Sequence, residues 1–336
     1  MAANYENAYK YLQEERFMEA EEILESIQEI DPDYKDVETL LREARHEPVF
    51  RKAREAMDDE KYYTAYSLFD DVLSQTSSYK NAGSLKEQCL EKGQVSIALM
   101  PVKNGTGNSK AAQMMQARFI GKLNRMTNPF LKIVSQPKSQ STGARNTASV
   151  RKLKEPGEDY SFDNEKDNKA LLESTLLHFV SREGNLTHQE KRGYLKKESK
   201  YKDKETGEIK TRVTFDKVIY DEYRKVNKAS CRFSFKMVSA ENGEILAADL
   251  ASSNQEDEMH YVDFEGNAED LVPGYWKYRR RDSREDEIKN NYRNVRALQR
   301  LVKAKRSIKP AQALSEEVME KVALDAARTI NAYKPD

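Results

Sequence analysis

The sequence predicts an α + α/β protein: N-terminal helical repeats over residues 1–92, then a mixed-sheet α/β domain over 94–335 with helices packed on the sheet. Three observations carry this. Small and apolar residues recur at an offset of 45 in the first 92 residues. Near Gly93 the composition shifts, and residues 95–102 form an almost unbroken apolar run. Residues 229–238 alternate apolar and polar, the period of a strand with one buried face.

The repeat comes first. Ala8, Phe17, Ala20, Leu24, Tyr34, Lys35 and Leu40 return as Ala53, Tyr62, Ala65, Phe69, Tyr79, Lys80 and Leu85. A helix of about 12 residues leads to a polar turn, Glu14-Glu15-Arg16 and then Asp58-Asp59-Glu60. An aromatic opens the next helix, and a small Ala sits where two helices approach closely. Leu24 or Phe69 fills the groove, and a third, short helix starts near Tyr34 and Tyr79. Asp31-Pro32-Asp33 stops one helix and starts another.

The α/β domain follows. Residues 95–102 suit a strand buried on both faces, and Lys103-Asn104-Gly105-Thr106-Gly107-Asn108 a polar turn. Residues 111–124 read as an amphipathic helix with Met114, Met115, Phe119, Ile120 and Leu123 inward. Pro129 ends that unit and 130–134 reads as a second strand, parallel to the first by default. Residues 135–165 read as a long loop. Residues 167–180 read as a helix with Leu171, Leu172, Thr175, Leu176 and Phe179 on one face. A hairpin is expected around Glu205-Thr206-Gly207-Glu208. After strand 229–238, Glu241-Asn242-Gly243-Glu244 turns the chain into a returning strand, 245–250. Leu314, Val318, Val322, Ala326 and Ile330, every fourth residue, define a final helix covering the sheet. Two charged stretches, about 136–225 and 255–310, stand as insertions.

Composition fits folded domains with charged helices and loops. The chain has 336 residues, 38% hydrophobic and 34% charged, with mean hydropathy −0.89. Aromatics reach 9% and net charge is zero, unlike wholesale disorder. The zero conceals a division: residues 1–95 hold 12 Lys and Arg against 22 Asp and Glu, and the remainder 45 against 35. Separate partners or mutual attraction are expected of such halves, with plain drift of charge as the alternative. Cys89 and Cys231 lack metal-type spacing and read as buried free thiols. No run approaches the ~18–20 apolar residues of a membrane span.

The helical pattern resembles the tetratricopeptide family, in a variant with a spacer helix between units. That resemblance implies protein binding on a concave helical surface, where Tyr5, Tyr9, Tyr62 and Tyr66 are the candidate contacts. A plain helical packing element is the alternative. Two such units normally need something stacked beside them, here the following domain or a partner.

The run Val-Ser-Ile-Ala-Leu-Met-Pro-Val-Lys-Asn-Gly-Thr-Gly-Asn resembles the opening strand and turn of CsgG/TolB-N-terminal-like α/β domains. Phe-Ser-Phe-Lys-Met-Val-Ser-Ala-Glu-Asn-Gly-Glu-Ile-Leu-Ala-Ala is similar to their late hairpin. The likeness spans parts of 95–135 and 228–335. It implies a bacterial envelope protein, often a lipoprotein, without catalytic residues. Periplasmic or outer-membrane association through an N-terminal lipid signal removed from this version is then expected, with a cytoplasmic location as the alternative. No strand pair shows a lipid-facing stripe of ~9–11 residues, so the non-pore branch is favoured.

Local catalytic patterns fail. Gly105-Thr-Gly-Asn-Ser-Lys110 lacks P-loop and dinucleotide spacing and reads as a tight turn. His46, His178, His188 and His260 show no ligand spacing, and His178 reads as a structural residue of a helix. No catalytic residue, cofactor or metal ligand is therefore expected, although sites assembled from distant residues leave no local trace. Two basic features stand out: 191–212, and 277–284, the latter preceded by Pro273-Gly274-Tyr275-Trp276. Tyr275, Trp276, Arg279 and Arg280 are candidate protein contacts, with Trp276, the sole tryptophan, the leading hot spot and a plug of the core as its alternative role. The favoured partners are other proteins, self-association included. Cytosolic nucleic-acid binding through the two basic loops is the second reading, and an enzyme with a non-local site the third.

Overall fold

The computed structural model describes residues 1–134, 168–205 and 207–336, so the loop expected over 135–165 lies outside the described residues. Five helices come first: α1 (Ala2–Gln13), α2 (Phe17–Ile30), α3 (Val37–Asp58), α4 (Tyr62–Gln75) and α5 (Ala82–Gly93). Each three-residue turn after α1 and α3 reverses the chain through a left-handed residue, Glu15 (φ 60°) and Glu60 (φ 63°). Lys35 (φ 48°) and Lys80 (φ 44°) do the same before the following helices. These four residues sit 45 apart in pairs, as do the fully buried Ala8 and Ala53, Ala20 and Ala65, and Leu24 and Phe69. The spacer helix and the next unit's opening helix are not separate. They run together as α3, which carries Pro48 in its interior. Each unit has its own core, around Leu24 and Ile27 in one and Phe69 and Val72 in the other.

The sheet domain begins two residues after α5. β1 (Val95–Leu99) lies parallel to β3 (Leu131–Val134) on one side and β4 (Asn168–Arg182) on the other. Between β1 and β3 come β2 (Lys103–Asn104), which pairs with β4, and α6 (Ser109–Leu123). The remaining pairs are antiparallel: β4 with β6 (Ile209–Ser239), β6 with β5 (Thr187–Lys202) and with β7 (Ile245–Asp263), β5 with β8 (Leu271–Tyr275), and β8 with β9 (Glu287–Ile288). The sheet is therefore mixed, as the sequence predicts, and α8 (Ala311–Asn331) and α6 cover one face. α7 (Tyr292–Val302) packs on β7 and β8.

From Asn168 on, the span read as a helix over 167–180 is strand β4, and the reason is a bulge. Ala170, Leu172 and Leu176 face the core, then the register shifts between Leu176 and His178. Phe179 consequently returns to the core side. One extra residue turns a spacing of two into three, so Leu172, Leu176 and Phe179 imitate a helical stripe. His178 is accordingly a strand residue on the open face, its Nε2 2.9 Å from Ser230 Oγ.

The 31 residues of β6 extend about 100 Å at strand rise. Ala229, Cys231, Phe233, Phe235 and Met237 bury under α6 and α8. At the other end Tyr220, an even-numbered position, buries with Val262, Leu271 and α7's Leu298. The strand is thus covered on opposite faces towards its two ends. Beyond β8, β5 and β6 continue as a two-stranded ribbon to a turn where Gly207 (φ 69°) donates to the Asp203 carbonyl at 3.0 Å, the hairpin expected there. Both cysteines are buried free thiols, and burial pushes the Cys231 thiol up to about 11.

Candidate functional site

Where the helical units meet the sheet domain, the chain fills part of its own helical surface. Phe130, fully buried, packs edge-on to Tyr66 at 5.1 Å and tilted against Tyr63 at 5.4 Å. Gly93 is required here, because a Cβ on it would lie 2.8 Å from both Phe130 Cε1 and Tyr62 Cβ. α4 has no side-chain cap of its own; the Asp336 carboxylate accepts from Tyr63 N at 2.7 Å and Thr64 N at 2.9 Å, and from the Thr64 hydroxyl. A carboxylate on orphan N–H groups at a helix start is stabilising. Tyr62 and Tyr66, expected as partner contacts, are thus half-buried beside the chain's own Phe130 and Gly93. Lys92 stands over Tyr62 and Lys86 over Tyr66.

The first unit is different. Tyr9 is 48% exposed, and Met18 and Ile30 are 77% and 70% exposed. Tyr5 is tied down: its hydroxyl donates to Asp36 Oδ1 at 2.5 Å, a bond that pushes its pKa up to about 12. Lys35 sits 4.0 Å over its ring. α3 is linked to the second unit by Glu47, which accepts from Tyr79 Oη at 2.6 Å, from Arg51 at 3.1 Å and from Lys80.

Trp276 is not a surface hot spot. It is 4% exposed, and its indole N–H donates to the Gly193 carbonyl at 3.1 Å, with Val218 O at 3.4 Å. An indole satisfied in this way fills a core with Tyr194 and Val272. Arg192 closes it from outside, donating to the Trp276 carbonyl at 2.7 Å while its guanidinium lies 4.9 Å from the indole and 5.5 Å from Tyr275. Tyr275 remains 43% exposed. From this anchor the loop 277–286 is held by Lys217, whose ammonium donates to Asp286 Oδ2 at 2.6 Å and to the Tyr278 and Arg281 carbonyls. The hydrogen bond to Asp286 raises the Lys217 pKa and lowers that of Asp286. Arg279 and Arg280 are displayed, exposed, on this fixed base.

The basic segment 191–212 is less uniform than its composition suggests. Lys196 pairs with Glu198 at 2.5 Å, Lys197 with Asp216 at 2.6 Å, and Lys210 with Asp203. A basic surface that the sequence reading passed over lies on α7. Val295 and Leu298 turn inward, while Arg293, Arg296 and Arg300 are exposed along the other side. Its signal was legible: residues 288–315 contain eight Lys and Arg and no Asp or Glu. Beside it opens a cleft of about 660 Å³, lined among others by Lys196, Phe215, Glu269, Asp270, Tyr292 and Arg296.

The Gly105 turn is internally satisfied. Asn104 Oδ1 accepts from Thr106 N, and Asn108 caps α6 by accepting from Ala111 N, both at 3.0 Å. Among the described residues no group of three or more His, Cys, Asp or Glu could hold a metal ion, and no helix is long and apolar enough to cross a membrane. No protein-family model matches the chain, and no curated protein matches it significantly.

Proposed function

We propose that this chain is a non-catalytic protein-binding scaffold or assembly factor of the bacterial cell envelope. Its helical units recruit a partner protein, and its sheet domain docks to a complex or oligomer. The observation that carries this is the unequal use of the two helical units. The second is engaged by Phe130 and Asp336, while the first carries exposed Tyr9, Met18 and Ile30 on α1 and α2. A tetratricopeptide-like origin is supported by buried and left-handed positions recurring 45 residues apart. The envelope assignment is supported by the apolar β1, its Asn-capped turn and the hairpin joining β6 to β7, the segments that resemble CsgG/TolB-N-terminal-like domains.

Photo-crosslinking tests the reading. A crosslinker at Tyr9 in the source cells is expected to capture an envelope protein, while one at the buried Leu24 captures nothing. No adduct at Tyr9, or adducts confined to cytosolic proteins or nucleic acid, refutes it. Nucleic-acid binding through 191–212 and 277–284 is the second reading, favoured by the unpaired display of Arg279 and Arg280 on a fixed loop.

A further inference from the structure

The division of charge along the chain is sharper than a split at residue 95 suggests. Residues 1–60 hold eight Lys and Arg against eighteen Asp and Glu, whereas residues 61–95 hold four of each. Half of the acidic excess lies on α2, which has five Glu and no Lys or Arg, and half in the turns beside the first three helices, and the neutral part is the one that meets the sheet domain through Tyr66 and Thr64. On α2, Glu22, Glu25 and Glu29 are exposed at spacings of three and four, which places them on one line along the helix. Glu25 also holds Arg45; among the described residues Glu22 and Glu29 show no ion pair.

α7 carries the opposite line. Arg293, Arg296 and Arg300 are exposed at the same spacings of three and four. Each triad spans about 10 Å at helical rise. Arg293 and Arg300 show no ion pair among the described residues, and Arg296 reaches only the Tyr292 hydroxyl, at 2.9 Å. The helix is fixed from beneath by Leu298 and Val295, so the arginines stand on a rigid support. The cleft beside it adds Phe215 and the Glu198-paired Lys196 from the β5–β6 ribbon together with Glu269 and Asp270, so the arginines supply the attraction, and Tyr292 at its rim is 76% exposed.

We propose that copies of this chain associate head to tail, the acidic α2 line of one copy seating on the arginine line of α7 and the adjoining cleft of the next. The two patches are different surfaces of one molecule, so the contact is heterologous and builds a ring or an open chain rather than a twofold dimer. This deepens the scaffold reading by making the chain's own copy one of its partners. It leaves exposed Tyr9 on α1 for another protein.

The test is the mass in solution at two ionic strengths. In about 50 mM salt, light scattering is expected to give at least twice the monomer mass of 38.8 kDa, and in about 500 mM salt the monomer. The triple variant R293E/R296E/R300E alone, and E22R/E25R/E29R alone, are each expected to be monomeric at low salt, with unchanged circular dichroism. An equimolar mixture of the two is expected to regain the assembled mass, which a folding defect cannot imitate. A wild-type chain that stays monomeric at low salt and about 100 μM overturns the proposal. So does an assembly that survives both reversals, or α7 arginines that bind single-stranded nucleic acid or anionic vesicles without self-association. Tyr9 crosslinking to a foreign envelope protein in a chain that remains monomeric would sink self-assembly while leaving the scaffold reading intact.

Discussion

Replacing Phe130 with alanine should uncouple the helical units from the sheet. The ring is fully buried between α4 and Gly93 and makes two aromatic contacts, with Tyr66 at 5.1 Å and Tyr63 at 5.4 Å. Burial of a phenylalanine side chain contributes about 1.5–3 kcal/mol, and each aromatic pair about 0.5–1.5 kcal/mol beyond that. The sum agrees with the ~3–5 kcal/mol commonly lost on Phe→Ala in a core. Because Phe130 belongs to the junction, the loss should fall on the helical units. Two probes separate the parts: helical circular dichroism in urea, most of whose helical residues belong to α1–α5 and the rest to α6–α8, and fluorescence of Trp276, the only tryptophan, for the β5–β8 end. The helical transition should move to lower urea by the equivalent of at least 2 kcal/mol, with the Trp276 transition moving much less. A helical shift below about 1 kcal/mol, or equal shifts in both signals, would refute the assignment of Phe130 as the clamp.

Three further outcomes are expected. Asp336→Ala removes the acceptor for Tyr63 N and Thr64 N, and should cost about 1 kcal/mol in the same helical transition; an unchanged midpoint would show the cap to be idle. Trp276→Phe leaves the Gly193 carbonyl without its indole donor and should cost about 1–3 kcal/mol in urea unfolding followed by circular dichroism. A stability within 0.5 kcal/mol of wild type would argue against a core role. Burial raises the pKa of Glu47, but hydrogen bonds from Lys80, Tyr79 and Arg51 outweigh it and leave the carboxyl below its usual value. A depressed native pKa means that this contribution is present above the unfolded value of about 4.3 and is lost as pH falls through the native one. Glu47→Gln should therefore destabilise the helical units at pH 7 and flatten their loss of stability below about pH 4; parallel acid curves for the two proteins would contradict this.

Much of this architecture was legible because its signals are local. Ala20 and Ala65 mark close helix contacts by size alone, and both are fully buried. The alternation through Cys231, Phe233 and Phe235 gave the strand and its inner face. The β4 segment misled because its bulge borrows a helical spacing, a fact that depends on the partner strand and not on β4 itself. Trp276 looked like a contact because it stands among Tyr275, Lys277 and Arg279; what holds its indole N–H is the carbonyls of Gly193 and Val218, some 60 to 80 residues away. The engagement of Tyr66 with Phe130 is equally non-local. The α7 arginines were accessible by counting, since an acid-free run of that length is visible in the chain, but only the inward turn of Leu298 shows which side they occupy.

The length of β6 has a mechanical consequence. Its inner end is laced to β4 on one flank and to β7 on the other, whereas its outer end reaches the ribbon's turn beside Asp203. A pull on that tip acts along the strand, so the two inner ladders are sheared lengthwise and their bonds must break together instead of unzipping singly. The ribbon is therefore a lever with a stiff root, suited to transmitting tension into the body of the molecule.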